Sequence, residues 1–589
     1  MTLTAVDWTV VAAFFALNLG IGLYYAPRGG RSLSEFFLSG RSVPWWLAGI
    51  SMVATTFAAD TPLAVTGFVT THGIAGNWVW WSSVMSGILT VFFFAKLWRR
   101  SGVLTDVEFI ELRYGGKAAA ALRLVRALFQ GVLVNTIIMG WVNLAMAKIL
   151  TLTLHVPKLE ALGVCLVFTT VYVMLSGLWG VLVTDVLQFA VKMTMAIVLA
   201  AVAVAAVGGM GALQSKLALV DAARGGAGSV LDFFPTTNSA WLPVLTFVTY
   251  IAVQWWASSY PGAEPGGGGY IAQRIFSARS ETDSLVATLF FNVAHYALRP
   301  WPWILVALAA LVLYPHGVAG IDGKIDPELG YIQTMIDYLP AWLRGLMIAG
   351  FVAAYMSTIG THLNLGASYL TNDVYRRFLR PAASERHYVV VSRIATVVVM
   401  ALAVIGAYAN NSVGGAWVYL FNLTAGVGLV MILRWYWWRV NAWSEISALA
   451  ASALVSNLVI LLHVFKDDNA TAETLLVTVP VTTLVWLCVT FLTEPEAQTT
   501  LVRFYERVRP SPAGWRPIAR IARPGAGAES LGVNALDWLA GCGLVYGALF
   551  GIGRIIFGDL LQGIAYVALA AACAALIAYN VNRTREPQP

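Results

Sequence analysis

The sequence predicts an all-α polytopic membrane protein of about fifteen spans, built as two inverted repeats, and three observations carry that reading. Of 589 residues, 59% are hydrophobic and 11% charged, with a mean hydropathy of +0.72. A soluble domain is about half apolar and a quarter charged, so a soluble multidomain enzyme is excluded. The apolar runs are about 20 residues long, enough for a membrane-spanning helix, whereas an outer-membrane barrel would show alternating segments of about ten. Two of the runs, the second and the seventh, are interrupted by residues that cannot continue a helix, as expected of discontinuous helices in inverted repeats.

Taken in order, spans are expected at 6–25, 44–70, 77–98, 122–152, 158–178, 181–208, 240–275, 284–314, 341–374, 389–408, 414–433, 444–465, 472–493, 535–556 and 559–581. The first run has Asp7 ahead of it, no basic start and no small-residue cleavage site, so it reads as a retained helix. The expected organisation is an extra N-terminal helix and loop (1–43), a first repeat (44–208), a second repeat with outside loops (209–433), additional helices (434–493), a basic linker (494–534) and a final helical pair with tail (535–589). A signalling protein built on such a core would need an attached domain, and 494–589 offers a linker and two spans.

The net charge of +7 comes from basic loops, among them Arg99, Arg100, Arg113, Arg123 and Arg376, Arg377, Arg380. Their bias places the N-terminus outside and the C-terminus in the cytoplasm of a plasma (inner) membrane. A surplus of this size on a polytopic chain does not imply nucleic acid. The four cysteines and seven histidines lack metal-ligand spacing. Gly266-Gly267-Gly268-Gly269 has no following Gly-Lys-Ser/Thr and is no phosphate loop, and no Ser-His-Asp arrangement is readable, so the expectation is a non-enzyme without organic cofactor. His295 and Arg299, four apart on one helix face, are expected in a gate, a structural network or at lipid headgroups.

The breaks are Ala54-Thr55-Thr56-Phe57-Ala58-Ala59-Asp60-Thr61-Pro62 and Ser258-Ser259-Tyr260-Pro261-Gly262-Ala263-Glu264-Pro265-Gly266-Gly267-Gly268-Gly269. Unwound backbone at membrane depth is tolerated where it lines a cavity or is buried in protein. A proline kink plus an ordinary loop is the alternative. Phe36-Phe37-Leu38-Ser39-Gly40-Arg41 through Trp45-Trp46, Gly177-Leu178-Trp179-Gly180 with Thr184-Asp185-Val186-Leu187-Gln188, Gln273-Arg274, and Ala353-Ala354-Tyr355-Met356-Ser357-Thr358 leading to Thr371-Asn372-Asp373 stand in order along the chain. In these motifs, over about residues 7 to 490, the chain resembles the sodium:solute symporter family. The resemblance implies two inverted five-helix repeats with broken first and sixth core helices, and alternating access driven by a sodium gradient.

Ala354, Ser357, Thr358 and Thr361 share one helix face. Sodium prefers uncharged or carboxylate oxygens, and the resemblance implies a principal sodium site of Ala54, Phe57, Ala354, Ser357 and Thr358. Packing of small polar residues is the alternative. Asp185 reads as a helix cap or as an intramembrane acid that pairs or binds a cation; the resemblance implies a second sodium at Asp185, Ser357 and Thr361, although Gly360 stands where some members carry a hydroxyl. The partners expected are a small polar solute, sodium and the bilayer. Solute candidates beside the two breaks are Thr56, Asp60, Thr61, Trp255, Trp256, Ser258, Glu264 and Asn422, with a sugar-like solute slightly favoured by the tryptophans. Glu264 is expected to meet the solute or a cytoplasmic arginine. A proton carried by Asp60, Asp185 or Glu264 is the rival to sodium.

Overall fold

The computed structural model describes residues 4–583 except 30, 155–156, 321–322, 410–411, 467–468 and 523–529. Among the described residues it is helical, with isolated bridges and no named strand. In chain order the spanning elements are α1 (Ala5–Gly29), the broken pair α2 (Trp45–Thr56) and α3 (Thr61–His72), α4 (Ile74–Ser101), α5 (Gly116–Leu154) and α6 (Lys158–Val207). The second half follows with α7 (Val244–Ala257), α8 (Gly269–Ser277), α9 (Glu281–Leu313), α10 (Ala341–Leu379), α11 (Glu385–Ala409) and the bent pair α12 (Val413–Leu423) and α13 (Gly428–Tyr436). The remaining spans are α14 (Ala442–Leu461), α15 (Ala470–Leu492), α16 (Leu531–Ile556) and α17 (Leu560–Arg583).

Eleven helices among the described residues are long and apolar enough to cross a membrane, and two bent pairs bring the number to 13. Two expected segments lie outside that number, the first of them helical from Lys158 up to the kink at Gly177. Residues 158–178 open the 50-residue α6, which turns sharply at Gly177, and 240–275 is split between α7 and the nine-residue α8. Gly177 takes φ +58° against the Phe36 carbonyl, a backbone state and a closeness that only glycine allows at no cost.

Both expected breaks are present. α2 and α3 meet at 55° across Phe57 to Asp60. Between α7 and α8, residues 258–268 are irregular yet largely buried, held by Ser86 Oγ donating to the Ala263 carbonyl (2.8 Å) and Trp98 Nε1 donating to the Gly266 carbonyl (3.0 Å). The segment is therefore packed backbone at the core, consistent with the requirement that non-helical chain in a membrane be buried in protein. A third break, of 50° between α12 and α13, was not expected. It meets the second: Gly426 N donates to the Ala257 carbonyl (2.9 Å), Ser259 N to Thr424 Oγ1 (2.9 Å), and Ser452 Oγ reaches the freed carbonyls of Leu423 and Ala425.

The long tilted helices α6 and α10 pack on each other and on α1 and α2, while α16 and α17 form a pair docked on α4 and α9 through rings such as Trp538 and Phe550. Short helices Met210–Arg224 and Gly330–Tyr338 lie in the long connections after α6 and α9, and the linker contains the helix Gln498–Val508.

Candidate functional site

The last turn of α2 ends at the break, where the Phe57 N–H closes on the Val53 and Ala54 carbonyls and the carbonyls beyond lack helical donors, forming the negative end of a half-helix dipole. The carbonyls of Val53, Ala54, Thr55 and Phe57 are met by side chains from other spans, and that of Thr56 by Thr61 across the break (3.3 Å). Arg299 donates to the Val53 carbonyl (3.3 Å) and Thr358 Oγ1 to the Thr55 carbonyl (2.7 Å). Lys192 Nζ donates to the carbonyls of Ala54 (2.5 Å) and Phe57 (2.9 Å), with its ammonium 5.1 Å from the Phe57 ring centroid. Lys192 is 3% exposed, in mid-α6, and sequence reasoning missed it. The available signal was a lysine inside an apolar span, seven residues after Asp185 and hence on the same helix face.

The residues expected to hold the principal sodium therefore converge on the seam between α2 and α10. There the Ala54 and Phe57 carbonyls accept from an ammonium, the Ala354 carbonyl accepts from Thr358 Oγ1 (3.2 Å), and Ser357 Oγ donates to Asp185 Oδ1 (2.5 Å). Asp185 is fully buried and also accepts from Ser51 Oγ (2.5 Å), a cross-span contact that a helix cap would not make. At the second expected cation position, Thr361 Oγ1 accepts from Arg274 (2.7 Å) and lies 3.1 Å from Thr55 Oγ1, while Arg274 Nε donates to Ser51 Oγ (3.3 Å). A guanidinium thus stands beside Asp185 and Thr361. Among the described residues no cluster of His, Cys, Asp and Glu has metal-binding proximity.

Beside the break, a cavity of about 30 Å³ is lined by Thr56, Asp60, Thr61, Trp141, Tyr260 and Trp417, among others. A second of similar size adjoins it, reached by Glu264, Gly269, Tyr369 and Thr424. Each has room for a few waters and not for an organic solute. Asp60 precedes the first turn of α3; its Oδ2 accepts from Trp417 Nε1 (3.2 Å), and its Oδ1 is buried without a hydrogen-bond partner. Tyr260 stacks on Phe421 at 5.6 Å and closes the wall.

Of the solute candidates, Thr56, Asp60, Thr61 and Glu264 border these cavities. Trp255, Trp256, Ser258 and Asn422 do not. Trp255 stacks on Trp538 of α16 (5.7 Å), and Trp256 lies against the small apolar cluster of Ala257, Ala425, Leu475 and Val479. Adjacency to a break places a residue near the midplane, but the helix face decides whether it looks inward, and C-terminal helices cover that face. Ser258 Oγ and Asn422 Oδ1 are buried without partners, behind the wall. No arginine pairs with Glu264 among the described ion pairs; its neighbours are the backbone of Gly268 and Gly269, which also meets Asp106. Sequence reasoning missed Trp141 and Trp417, on distant spans. His295 and Arg299 are buried in the core, Arg299 against the rings of Phe57 and Trp303 and His295 against Trp80, Phe291 and Tyr296.

Broken helices that bring a carbonyl end met by cationic side chains and a carboxylate beside a cavity together at the core are the architecture of an inverted-repeat secondary transporter. Residues 36–503 match the sodium:solute symporter family model, and the chain belongs to that family. It is 27% identical over 484 residues to a sodium/glucose cotransporter of Vibrio parahaemolyticus, covering 76% of this chain and 84% of that one. It is 25% identical over 476 residues to sodium/myo-inositol cotransporter 2 of Homo sapiens (75% and 68% covered). The fold is similar to the solved structure of a Na⁺-coupled sialic acid symporter in its substrate-bound outward-open state, with TM-score 0.65, 18% identity, and 84% of this chain and 99% of that chain covered.

Proposed function

We propose that the protein is a sodium-coupled symporter that imports a small polar organic solute, sugar-like in the first instance, by alternating access across a plasma membrane with its N-terminus outside. The observation that carries the solute reading is Asp60: a buried carboxylate, one oxygen fixed by Trp417 and the other free, beside a small cavity with aromatic walls. A buried acceptor without a partner is costly, and a solute hydroxyl satisfies it. Aromatic faces with one or two fixed polar groups are the chemistry by which hydroxylated solutes are held, and the glucose and myo-inositol transporters among the relatives support the class. The closed cavities require that the path open by movement of one repeat against the other.

The family supports sodium as the coupling ion. A proton gradient is the second reading, favoured by the Lys192 ammonium on two of the expected sodium ligands. Purified protein in liposomes, offered hexoses, polyols, amino acids and carboxylates under a sodium or a proton gradient, separates them. Hexose or polyol uptake that rises with inward sodium, with half-saturating sodium raised severalfold in the Ser357→Ala/Thr358→Ala double variant, is expected. Uptake indifferent to sodium and driven by inward protons overturns the sodium reading.

A further inference from the structure

We infer that the Lys192 ammonium is a tethered occupant of the principal cation cage, so that Lys192 and sodium hold the Ala54 and Phe57 carbonyls by turns. The inference rests on the sodium-coupled reading and deepens it.

Lys192 reaches the cage from a different span. Its backbone belongs to α6, while the two carbonyls terminate α2, and the 2.5 and 2.9 Å contacts are the only side-chain hydrogen bonds described for either oxygen. A lysine ammonium is a compact unit charge with three donors and a flexible stem. It meets the same requirement that sodium would: positive charge at the negative end of a half-helix, coordinated by unwound carbonyls. The two cannot share the cage, because two unit cations bridged by the same pair of oxygens in a dry interior repel strongly. Arg299, on the neighbouring Val53 carbonyl, adds to that repulsion.

Displacement is built into the same helix face. Asp185, seven residues earlier on α6, is the anion toward which a displaced ammonium turns, and its present donors are Ser51 and the expected sodium ligand Ser357. Sodium entry that draws Ser357 Oγ to the ion frees Asp185 Oδ1 as Lys192 leaves the carbonyls. In the sodium-free carrier the lysine satisfies the broken helix, so the empty protein can close and return without leaving the buried Phe57 carbonyl unpaired. The tether thus serves the return half of the cycle.

The test is binding of radioactive sodium to purified full-length protein, without solute, for wild type, Lys192→Met, and, in case the single variant folds poorly, the pair Asp185→Asn/Lys192→Met, which removes one buried charge of each sign. Removing the competitor is expected to tighten sodium binding about tenfold or more in both, the scale of losing a like charge at contact distance. Adding Thr358→Ala is expected to cancel the gain, which locates the ion in this cage. Sodium bound by wild type, and no more tightly by either variant, overturns the tether and leaves the sodium reading standing. No sodium bound by any form, with solute uptake driven by protons, overturns that reading and the tether with it.

Discussion

Asp60 and Lys192 divide the two sides of the first break between them. Lys192 and its neighbours neutralise the carbonyl end of α2, whereas Asp60 stands at the amide end of α3, where a carboxylate is favoured by the half-helix dipole. With Oδ2 fixed by Trp417 and Oδ1 free, Asp60 can accept one directed hydrogen bond from a solute. A hydrogen bond to a charged group is worth about 1.5–3 kcal/mol, or about 10- to 100-fold in affinity. Asp60→Asn is expected to raise the half-saturating solute concentration by that factor while preserving sodium binding, and Trp255→Phe, remote from the cavity, to leave it unchanged. Uptake against solute concentration checks both, and an unaltered half-saturation in Asp60→Asn would remove Asp60 from the pocket. Whether a residue faces the path was the least legible property of the sequence. Asp60 and Thr56 were found because they flank the break itself, but the outward face of Trp255 is decided by Trp538, 283 positions away.

At the scale of elements, what was local was readable. Apolar runs of bilayer length gave the spans, and Pro261, Pro265 and the glycine cluster marked the second break because proline lacks a donor and glycine tolerates left-handed backbone. The third break, at Thr424-Ala425-Gly426-Val427, has no proline and a single glycine, so nothing local distinguishes it; it exists because α7 ends against it and Ser452 supplies donors to its carbonyls. The sharp turn at Gly177 in α6, by contrast, falls at the boundary expected between the spans 158–178 and 181–208. The buried 258–268 segment presses on main chain at Gly266, whose φ is +79° and whose missing Cβ faces the Met431 carbonyl. A side chain there meets both a disfavoured backbone state, costing about 1–2 kcal/mol, and main chain that cannot move aside. Gly266→Ala is expected to lower the thermal unfolding temperature in detergent measurably, whereas Gly20→Ala on lipid-facing α1, with open space at the Cβ position, is expected to keep or raise it. Equal unfolding temperatures would mean that the segment is not clamped against α13.

Across the whole molecule, charged networks tie the helices together at both ends, with the cation-filled break between them. At one end Lys148 of α5 pairs with Asp326 (2.7 Å) and Glu328 (2.6 Å), and Glu328 in turn accepts from Ser412 and Gly414 at the start of α12. At the arginine-rich end Arg123 of α5 pairs with the fully buried Asp373 of α10 (2.6 Å) and with Glu111 (2.6 Å), which also holds Arg377 (2.8 Å). Burial alone would raise the Glu111 carboxyl, but the hydrogen bonds from Arg377 and Arg123 outweigh it and hold the group below the ordinary carboxylate range. With a depressed value the pairing is complete above that range and fails only as pH falls through the lowered value, so the Glu111 pairs stay formed at neutral pH. Alternating access requires the two locks to open in turn. Removing one partner of a buried pair costs about 3–5 kcal/mol, ample to shift a two-state equilibrium by a hundredfold. Arg123→Gln is therefore expected to favour the form open at the arginine-rich end. A single cysteine at Ser259, on the cavity wall, in a chain otherwise free of cysteine, should then be labelled faster by an impermeant thiol reagent applied from that side and more slowly from the other, whereas Lys148→Gln should reverse the preference. Labelling that speeds up from both sides at once would indicate general loosening and would remove these networks from the gating cycle.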